Sequence, residues 1–199
     1  MEHTAPVLQF VEEYVAEMGR HLRNIPGDAV MRASERLLRA YRDGAHVLVA
    51  GNGGSASTAS HLACDLGKTV LGTDPTSRPS RFRAISLVDN VALLTAWAND
   101  EGYDTVFAEQ VKALGRPADV LVVFSVSGNS PNVLSALRVA RERGMETIGL
   151  LGCDGGEAAS LVDDPIVVAC DDYGHVESAH LVLGHLLSQW LRLHIAPES

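Results

Sequence analysis

Two pairs of titratable side chains stand at helical spacing in this chain of 199 residues. His61 and Asp65 are four residues apart, and Glu177 and His180 are three apart, so each pair shares one face of a helix. If the two faces meet, two imidazoles and two carboxylates converge. Such a cluster can remove and return a proton beside a carbonyl group, or it can bind zinc or another divalent metal that polarises the carbonyl.

Each pair taken singly is weak evidence for a site, because helical pairs of this kind are commonly solvated or simply hydrogen-bonded. His175 and His185 lie near the second pair, and the sequence indicates no clear role for either of them. The predicted cluster therefore depends on how the two helices pack.

Two loops rich in glycine and serine predict an anion site. Gly51–Ser57 follows one predicted strand and opens a helix, and Ser125–Ser130 has the same placement after another strand. In an open parallel sheet, ligands bind beyond the carboxyl ends of strands, where helix N-termini present free N–H groups. Neither loop contains Lys or Arg. A bound phosphate must therefore rely on N–H groups and hydroxyls.

Other interpretations of the first loop remain open. Gly51, Gly53 and Ala56 match the spacing of a dinucleotide-binding fingerprint and so allow a nicotinamide-dependent oxidoreductase. The acidic residue expected about 20 positions later would be Asp74, which falls inside a loop. Glycine and serine also favour ordinary turns and helix caps. The matching placement of two loops favours the anion site over both alternatives.

Hydrophobic periodicity predicts the elements that position these residues. Before Gly44, apolar residues recur every three or four positions, which predicts two opening helices. After Gly44, short β-branched runs alternate with amphipathic segments, which predicts a parallel sheet covered by helices on both faces. The predicted strands are 46–50, about 83–87, 120–125, 147–151 and 165–169, and the predicted helices lie near 55–67, 90–97, 104–114 and 131–143.

The last segment, 176–195, predicts a long helix that is apolar on more than one side and must be covered on most of its circumference, for which subunit contact is a natural cover. One domain is expected over 1–199, with a helical extension at 1–43 and an α/β core at 44–199. The connection 71–81 is either a lid or simply a long loop.

The composition excludes several function classes. A net charge of −9 argues against general nucleic-acid binding, which depends on Lys and Arg. The apolar runs are far shorter than the roughly 20 residues that span a bilayer, and the first residues lack a secretion signal, so a cytoplasmic protein is expected. Cys64, Cys153 and Cys170 form no CxxC pair and are predicted to be reduced, small hydrophobic residues rather than disulfides or a zinc knot.

With these motifs in place, the chain resembles the sugar isomerase (SIS) family, in its phosphoheptose isomerase branch, over nearly its whole length. The resemblance rests on segments spread along the chain, which are 51–55, 61–66, 99–104, 125–130, 152–156 and 176–180. It implies a flavodoxin-like fold with a five-stranded parallel sheet, N-terminal helices and a long C-terminal helix. It also implies a homotetramer whose active sites lie between subunits.

The resemblance further implies roles for individual residues. Asp65 and His180 match the catalytic base and acid, and Glu177 is a second candidate base. The positions that match zinc ligands are His61, Asp65, Glu177 and His180. The positions that match sugar-phosphate contacts are Asn52, Gly53, Gly54, Ser55, Asn99, Asp100, Ser125, Val126, Ser127 and Ser130.

Two residues depart from the family pattern, which has Glu in place of Asp65 and Gln in place of Glu177. A second carboxylate favours a divalent cation more strongly. The resemblance implies an aldose–ketose isomerase that acts through an enediol, with sedoheptulose 7-phosphate as the first substrate to test. The alternative is a non-catalytic SIS module that binds a sugar phosphate or a partner protein, as in the replication-initiator-associating branch.

Overall fold

The computed structural model describes residues 4–71 and 80–195, in which five strands form one parallel sheet. The strands are β1 (His46–Gly51), β2 (Arg83–Ser86), β3 (Val120–Ser125), β4 (Glu146–Leu151) and β5 (Asp164–Val167). Their order in the sheet is β2-β1-β3-β4-β5, which is the flavodoxin-like order. The predicted sheet is confirmed, and each strand lies within about two residues of its predicted bounds.

Helices cover both faces of this sheet. In the described residues they are α1 (Thr4–Arg23), α2 (Gly27–Asp43), α3 (Gly54–Gly67), α4 (Val91–Asp100), α5 (Ala108–Leu114), α6 (Pro131–Glu142), α7 (Ala158–Leu161) and α8 (Tyr173–Ile195). Short 3₁₀ turns lie at Thr69–Leu71 and Tyr103–Thr105. None of the helices in the two described ranges is long and apolar enough to cross a membrane.

The structure refines two predicted boundaries. The segment predicted as a helix over 104–114 begins as a 3₁₀ turn and becomes α-helical only at Ala108. Helix α8 begins three residues earlier than predicted because Asp172 Oδ1 accepts a hydrogen bond of 2.8 Å from the backbone N–H of His175. Residues 72–79 of the expected lid or loop lie outside the described residues.

Each face of the sheet has its own apolar core, since alternate residues of a strand point to opposite faces. Val47 and Val49 of β1 pack in the core that α2, α3 and α8 cover. Leu48 and Ala50 pack in the other core, under α5 and α6. Strands that are buried on both sides have continuous apolar sequences, and the apolar runs of β1 and β3 are of this kind.

This arrangement positions the two loops side by side. Strands β1 and β3 are neighbours, with Gly51 paired to Phe124 at their carboxyl ends. The chain leaves β1 toward α3 on one face and leaves β3 toward α6 on the other. The crevice between two strands whose connections diverge is the usual ligand site of such sheets.

Candidate active site

A cleft lies at the carboxyl ends of β1 and β3. Seven of its nine lining residues come from the two loops and the carboxyl end of β3. The other two, Tyr173 and Glu177, come from the first turns of α8. The full set is Asn52, Ser55, Phe124, Ser125, Val126, Ser127, Ser130, Tyr173 and Glu177. Most of the predicted residues of both loops therefore line one cleft, the exceptions being Gly53 and Gly54, and none of its lining residues in the described part of the chain is Lys or Arg.

The N-terminus of α3 opens onto this cleft. Gly53 has a positive φ of 55°, and the chain passes from the end of β1 into the helix over only two residues, Asn52 and Gly53. No side chain caps the first turn of α3. Its free N–H groups and the positive end of the helix dipole are the features that bind an anion.

Serine hydroxyls shape the second loop. Ser125 Oγ accepts a hydrogen bond of 3.1 Å from the N–H of Gly128, and Ser127 Oγ accepts one of 3.2 Å from the N–H of Asn129. A hydroxyl that accepts can still donate its own proton to a ligand. Ser130 precedes α6 and makes no capping hydrogen bond. All three serines thus offer donors on the side where a phosphate would bind.

A pair of asparagines joins the two loops. Asn52 Nδ2 donates to Asn132 Oδ1, and Asn132 Nδ2 donates to Asn52 Oδ1, both at 2.9 Å. The hydroxyl of Tyr103 adds a third hydrogen bond of 3.1 Å to Asn52 Oδ1. Asn132 was not predicted from the sequence, because its partner Asn52 lies 80 residues away in the chain and such a pair leaves no local signal. Its buried amide fixes the distance between the loops.

Glu177 reaches across from α8 to the start of α3. A Cβ atom on Gly54 would lie 2.3 Å from Glu177 Oε2 and 2.4 Å from Glu177 Oε1. A side chain at this position would displace the carboxylate from the first turn of the helix. The structure therefore places Glu177 at the end of the cleft beside the N-terminus of α3.

A second cluster lies farther along α3 and joins His61 and Asp65 to His185. His61 Nε2 lies 2.9 Å from His185 Nε2 and 3.6 Å from Asp65 Oδ2, and His185 Nε2 lies 4.0 Å from Asp65 Oδ2. The two imidazoles are half-exposed, whereas the carboxylate is buried. This trio combines a fixed carboxylate with two accessible imidazoles.

A threonine hydroxyl holds the buried carboxylate of the trio. Thr69 Oγ1 donates a hydrogen bond of 2.8 Å to Asp65 Oδ1. Ser188 Oγ lies 3.4 Å from Asp65 Oδ2, but its single proton has a nearer acceptor in the backbone carbonyl of His185, at 3.0 Å. The hydrogen bond from Thr69 offsets part of the cost of burying the charge and helps to orient Asp65.

His180 does not join His61 and Asp65, contrary to the sequence-based expectation. Its side chain is fully buried, 5.9 Å from the ring of Phe124, and neither ring nitrogen has a hydrogen-bond partner. Burial lowers the pKa of His180 from 6.5 to about 4, and the nearby carbonyl of Leu151 opposes this shift only in part. His180 is therefore a neutral core residue.

His185, and not the predicted His180, lies beside His61 and Asp65. Five residues along a helix correspond to a rotation of about 140°, so the two histidines point in very different directions. The packing of α8 against α3 brings His185 to His61. The sequence indicated no role for His185, which was noted only because it lies close to Glu177 and His180 in the chain. Since α8 is apolar on several sides, its sequence does not reveal which side packs against α3.

The remaining predicted residues lie outside the cleft of a single chain. Asn99 Nδ2 donates a hydrogen bond of 2.7 Å to Asp100 Oδ1 at the exposed end of α4. Neither side chain is among the residues that line the cleft. Their contact with the sugar stays a prediction.

The trio fits a divalent metal by its chemistry and its spacing. Around a tetrahedral zinc ion with bonds of about 2.0–2.1 Å, neighbouring ligand atoms lie about 3.3 Å apart. The three separations in the trio, from 2.9 to 4.0 Å, bracket this value. Two imidazoles and one carboxylate also form the ligand set of open, catalytic zinc sites.

Comparisons with known proteins agree with this geometry. A family model described as the SIS domain matches residues 12–152. A phosphoheptose isomerase from Geotalea daltonii is 44% identical over 164 residues, which cover 82% of this chain and 83% of that protein. A phosphoheptose isomerase from Paramagnetospirillum magneticum is 36% identical over 192 residues, which cover 94% of this chain and 97% of that protein.

Solved structures give the same result. The phosphoheptose isomerase from Neisseria gonorrhoeae has a TM-score of 0.83 at 33% identity, covering 93% of this chain and 98% of that chain. The phosphoheptose isomerase from Francisella tularensis has a TM-score of 0.84 at 31% identity, covering 94% and 98%. The sugar isomerase domain of an RpiR transcription factor from Sphaerobacter thermophilus, with a TM-score of 0.64 at 24% identity, shares the fold alone.

Proposed function

Since the chain belongs to the SIS domain family, in its phosphoheptose isomerase branch, we propose that it is a phosphosugar isomerase whose substrate is sedoheptulose 7-phosphate. The observation that carries this proposal is the cleft at the strand ends together with the trio of His61, Asp65 and His185 on the same helix pair. A protein that only binds a sugar phosphate, the alternative raised by the sequence, has no need for the trio.

The phosphate would bind at the N-terminus of α3 and against the serines of the second loop. Ser55, Ser125, Ser127 and Ser130 line this end of the cleft, and among the residues that the structure describes no Lys or Arg joins them. The N–H groups of a helix N-terminus and several hydroxyls are sufficient for one phosphate group. An acidic chain can hold an anionic substrate in this way without a basic surface.

The length of the substrate favours the trio as the site of proton transfer. His61 follows Gly54 by seven residues, which corresponds to about 10 Å along α3. Seven bonds join phosphorus to C2 in a ketoheptose 7-phosphate, which gives a reach of roughly 9 Å when extended. A sugar held by its phosphate at Gly54 would therefore present its carbonyl end near the trio, and not near Glu177.

The proposed reaction moves one proton between adjacent carbons. Asp65 removes the proton from the carbon beside the carbonyl, which gives an enediol, and returns it to the neighbouring carbon. His185 exchanges a proton with the enediol oxygens, so that the carbonyl moves by one carbon with no net change in protons. Glu177, the second candidate base, would accept hydrogen bonds from sugar hydroxyls at the phosphate end.

A zinc ion bound at the trio would take over the role of His185, because an imidazole nitrogen that binds a metal cannot also exchange a proton. His61, Asp65 and His185 would hold it, and in this structure the carboxylate of Glu177 lies at Gly54, away from that trio. When bound, the ion would polarise the substrate carbonyl and stabilise the negative charge of the enediolate. The residues of the trio orient the substrate around that position.

We further propose a single domain over 1–199 and a cytoplasmic homotetramer with active sites between subunits. The packing of α2 in the same core as α3 and α8 supports one domain. Support for assembly comes from exposed apolar side chains, which include Val7, Leu8, Phe10, Val11 and Val15 on α1 and Leu186 and Leu193 on α8. A neighbouring copy would also explain how Asn99 and Asp100 reach a sugar.

The test is isomerisation in deuterated water. Purified protein with added zinc should convert sedoheptulose 7-phosphate into an aldose phosphate, with deuterium incorporated at the carbon that receives the proton, as followed by NMR. Asp65→Asn and His185→Gln should lower kcat by about 10²–10⁴-fold. His180→Leu should retain most of the activity. An absence of conversion with and without zinc, or full activity in Asp65→Asn, would refute the proposal.

A further inference from the structure

A second group of potential metal ligands lies where α1 meets the beginning of α8. His21 near the end of α1, Cys170 after β5 and His175 in the first turn of α8 each offer a ligand atom, and these atoms all lie within 4.8 Å of one another. His175 precedes His185 by ten residues, or about 15 Å along α8. This Cys–His group is therefore separate from the trio.

His175 is buried and has an unused ring nitrogen. Only 5% of the residue is exposed, and its Nδ1 atom has no hydrogen-bond partner. Asp172 Oδ1 lies 3.1 Å from that atom without the alignment of a hydrogen bond, because it caps the backbone N–H of His175 instead. An unpaired polar atom at this depth carries a cost unless a ligand satisfies it.

The surroundings of His175 leave this nitrogen free to bind a metal. Its other ring nitrogen, Nε2, lies 3.4 Å from the backbone carbonyl of Tyr14, to which it can donate. The ring of Tyr14 stacks on the imidazole at 4.2 Å and fixes its orientation. A histidine that donates one N–H to a backbone carbonyl and presents its other nitrogen is the usual state of a metal ligand.

We infer that His21, Cys170 and His175 bind a divalent transition metal ion, of which zinc fits best. A thiolate with two imidazoles is a ligand set that zinc prefers over calcium or magnesium. Acidic groups stand close by, since Glu17 Oε1 lies 3.7 Å from His21 Nε2 and Asp172 Oδ1 lies 3.1 Å from His175 Nδ1. The cation Arg20 also contacts His21 Nε2, at 3.3 Å, and is itself paired with Glu17.

This ion would fasten α1 to the core. Outside the Cys–His group, α1 exposes most of its apolar side chains, whereas His21 is buried against α8. The three ligands come from α1, from the segment after β5 and from α8. The sequence-based view of Cys170 as a small hydrophobic residue is replaced here by a role as a ligand.

Cobalt substitution tests the site without an activity assay. The full chain is stripped with a chelator and titrated with Co²⁺, because only a thiolate ligand gives an intense sulfur-to-cobalt charge-transfer band in the near ultraviolet. The band should form in the wild type and in the double variant His61→Ala/Asp65→Asn, which lacks the trio. It should be absent in Cys170→Ser and persist in the controls Cys64→Ser and Cys153→Ser.

Zinc content gives a second measurement. After reloading with zinc and gel filtration, Cys170→Ser and His175→Gln should each hold one ion fewer per chain than the wild type, with circular dichroism confirming that they are folded. A folded wild type without the thiolate band, a band that survives Cys170→Ser, or equal zinc content in all variants would overturn the inference.

Discussion

Replacing His180 by leucine should remove a specific part of the acid sensitivity of this protein. In the folded state, burial lowers the pKa of His180 to about 4, against 6.5 in the unfolded chain. Between these values the unfolded chain binds more protons, so stability is lost as the pH falls through this window. The loss from this one residue is about 2 kcal/mol at about pH 5 and about 3 kcal/mol at about pH 4.

The leucine variant should show none of this loss. Leucine also removes two ring nitrogens that have no hydrogen-bond partner, so the variant should be at least as stable as the wild type at neutral pH. Urea unfolding at about pH 7.5 and about pH 5 gives the free energy of unfolding for both proteins. The reasoning is refuted if the difference between wild type and variant is the same at the two pH values.

Two further substitutions test the cleft and the fold. Gly54→Ala places a Cβ 2.3 Å from Glu177 Oε2 and should lower kcat/KM by up to about 100-fold without changing the melting temperature. Gly67→Ala on the same helix has open space and serves as the control, so equal effects would contradict the argument. Arg36→Ala removes the nearer, 2.6 Å partner of the buried Asp164 carboxylate, which keeps Arg32 Nε at 3.2 Å, and should cost up to about 3 kcal/mol in urea unfolding. Adding Asp164→Asn should recover part of that loss, and no recovery would indicate a packing effect only.

The sequence by itself determined the α/β class, the five parallel strands and the two loops at their ends. Short, continuous apolar runs such as Val120–Phe124, each followed by glycines and serines, are typical of strands buried on both faces. Parallel strands share a direction, so residues after neighbouring strands must meet at one edge of the sheet. The two loops of the cleft were predictable for this reason.

Only the tertiary structure decided which histidine joins His61 and Asp65. His180 and His185 stand on one helix, and its apolar residues surround so much of the axis that periodicity does not distinguish the side that meets α3. The packing of α8 buries His180 beside Phe124 and turns His185 toward His61. The pairing of Asn52 with Asn132 and the Cys–His group likewise join residues far apart in the chain. Contacts of this kind depend on the relative placement of whole helices and strands, about which local sequence patterns carry no information.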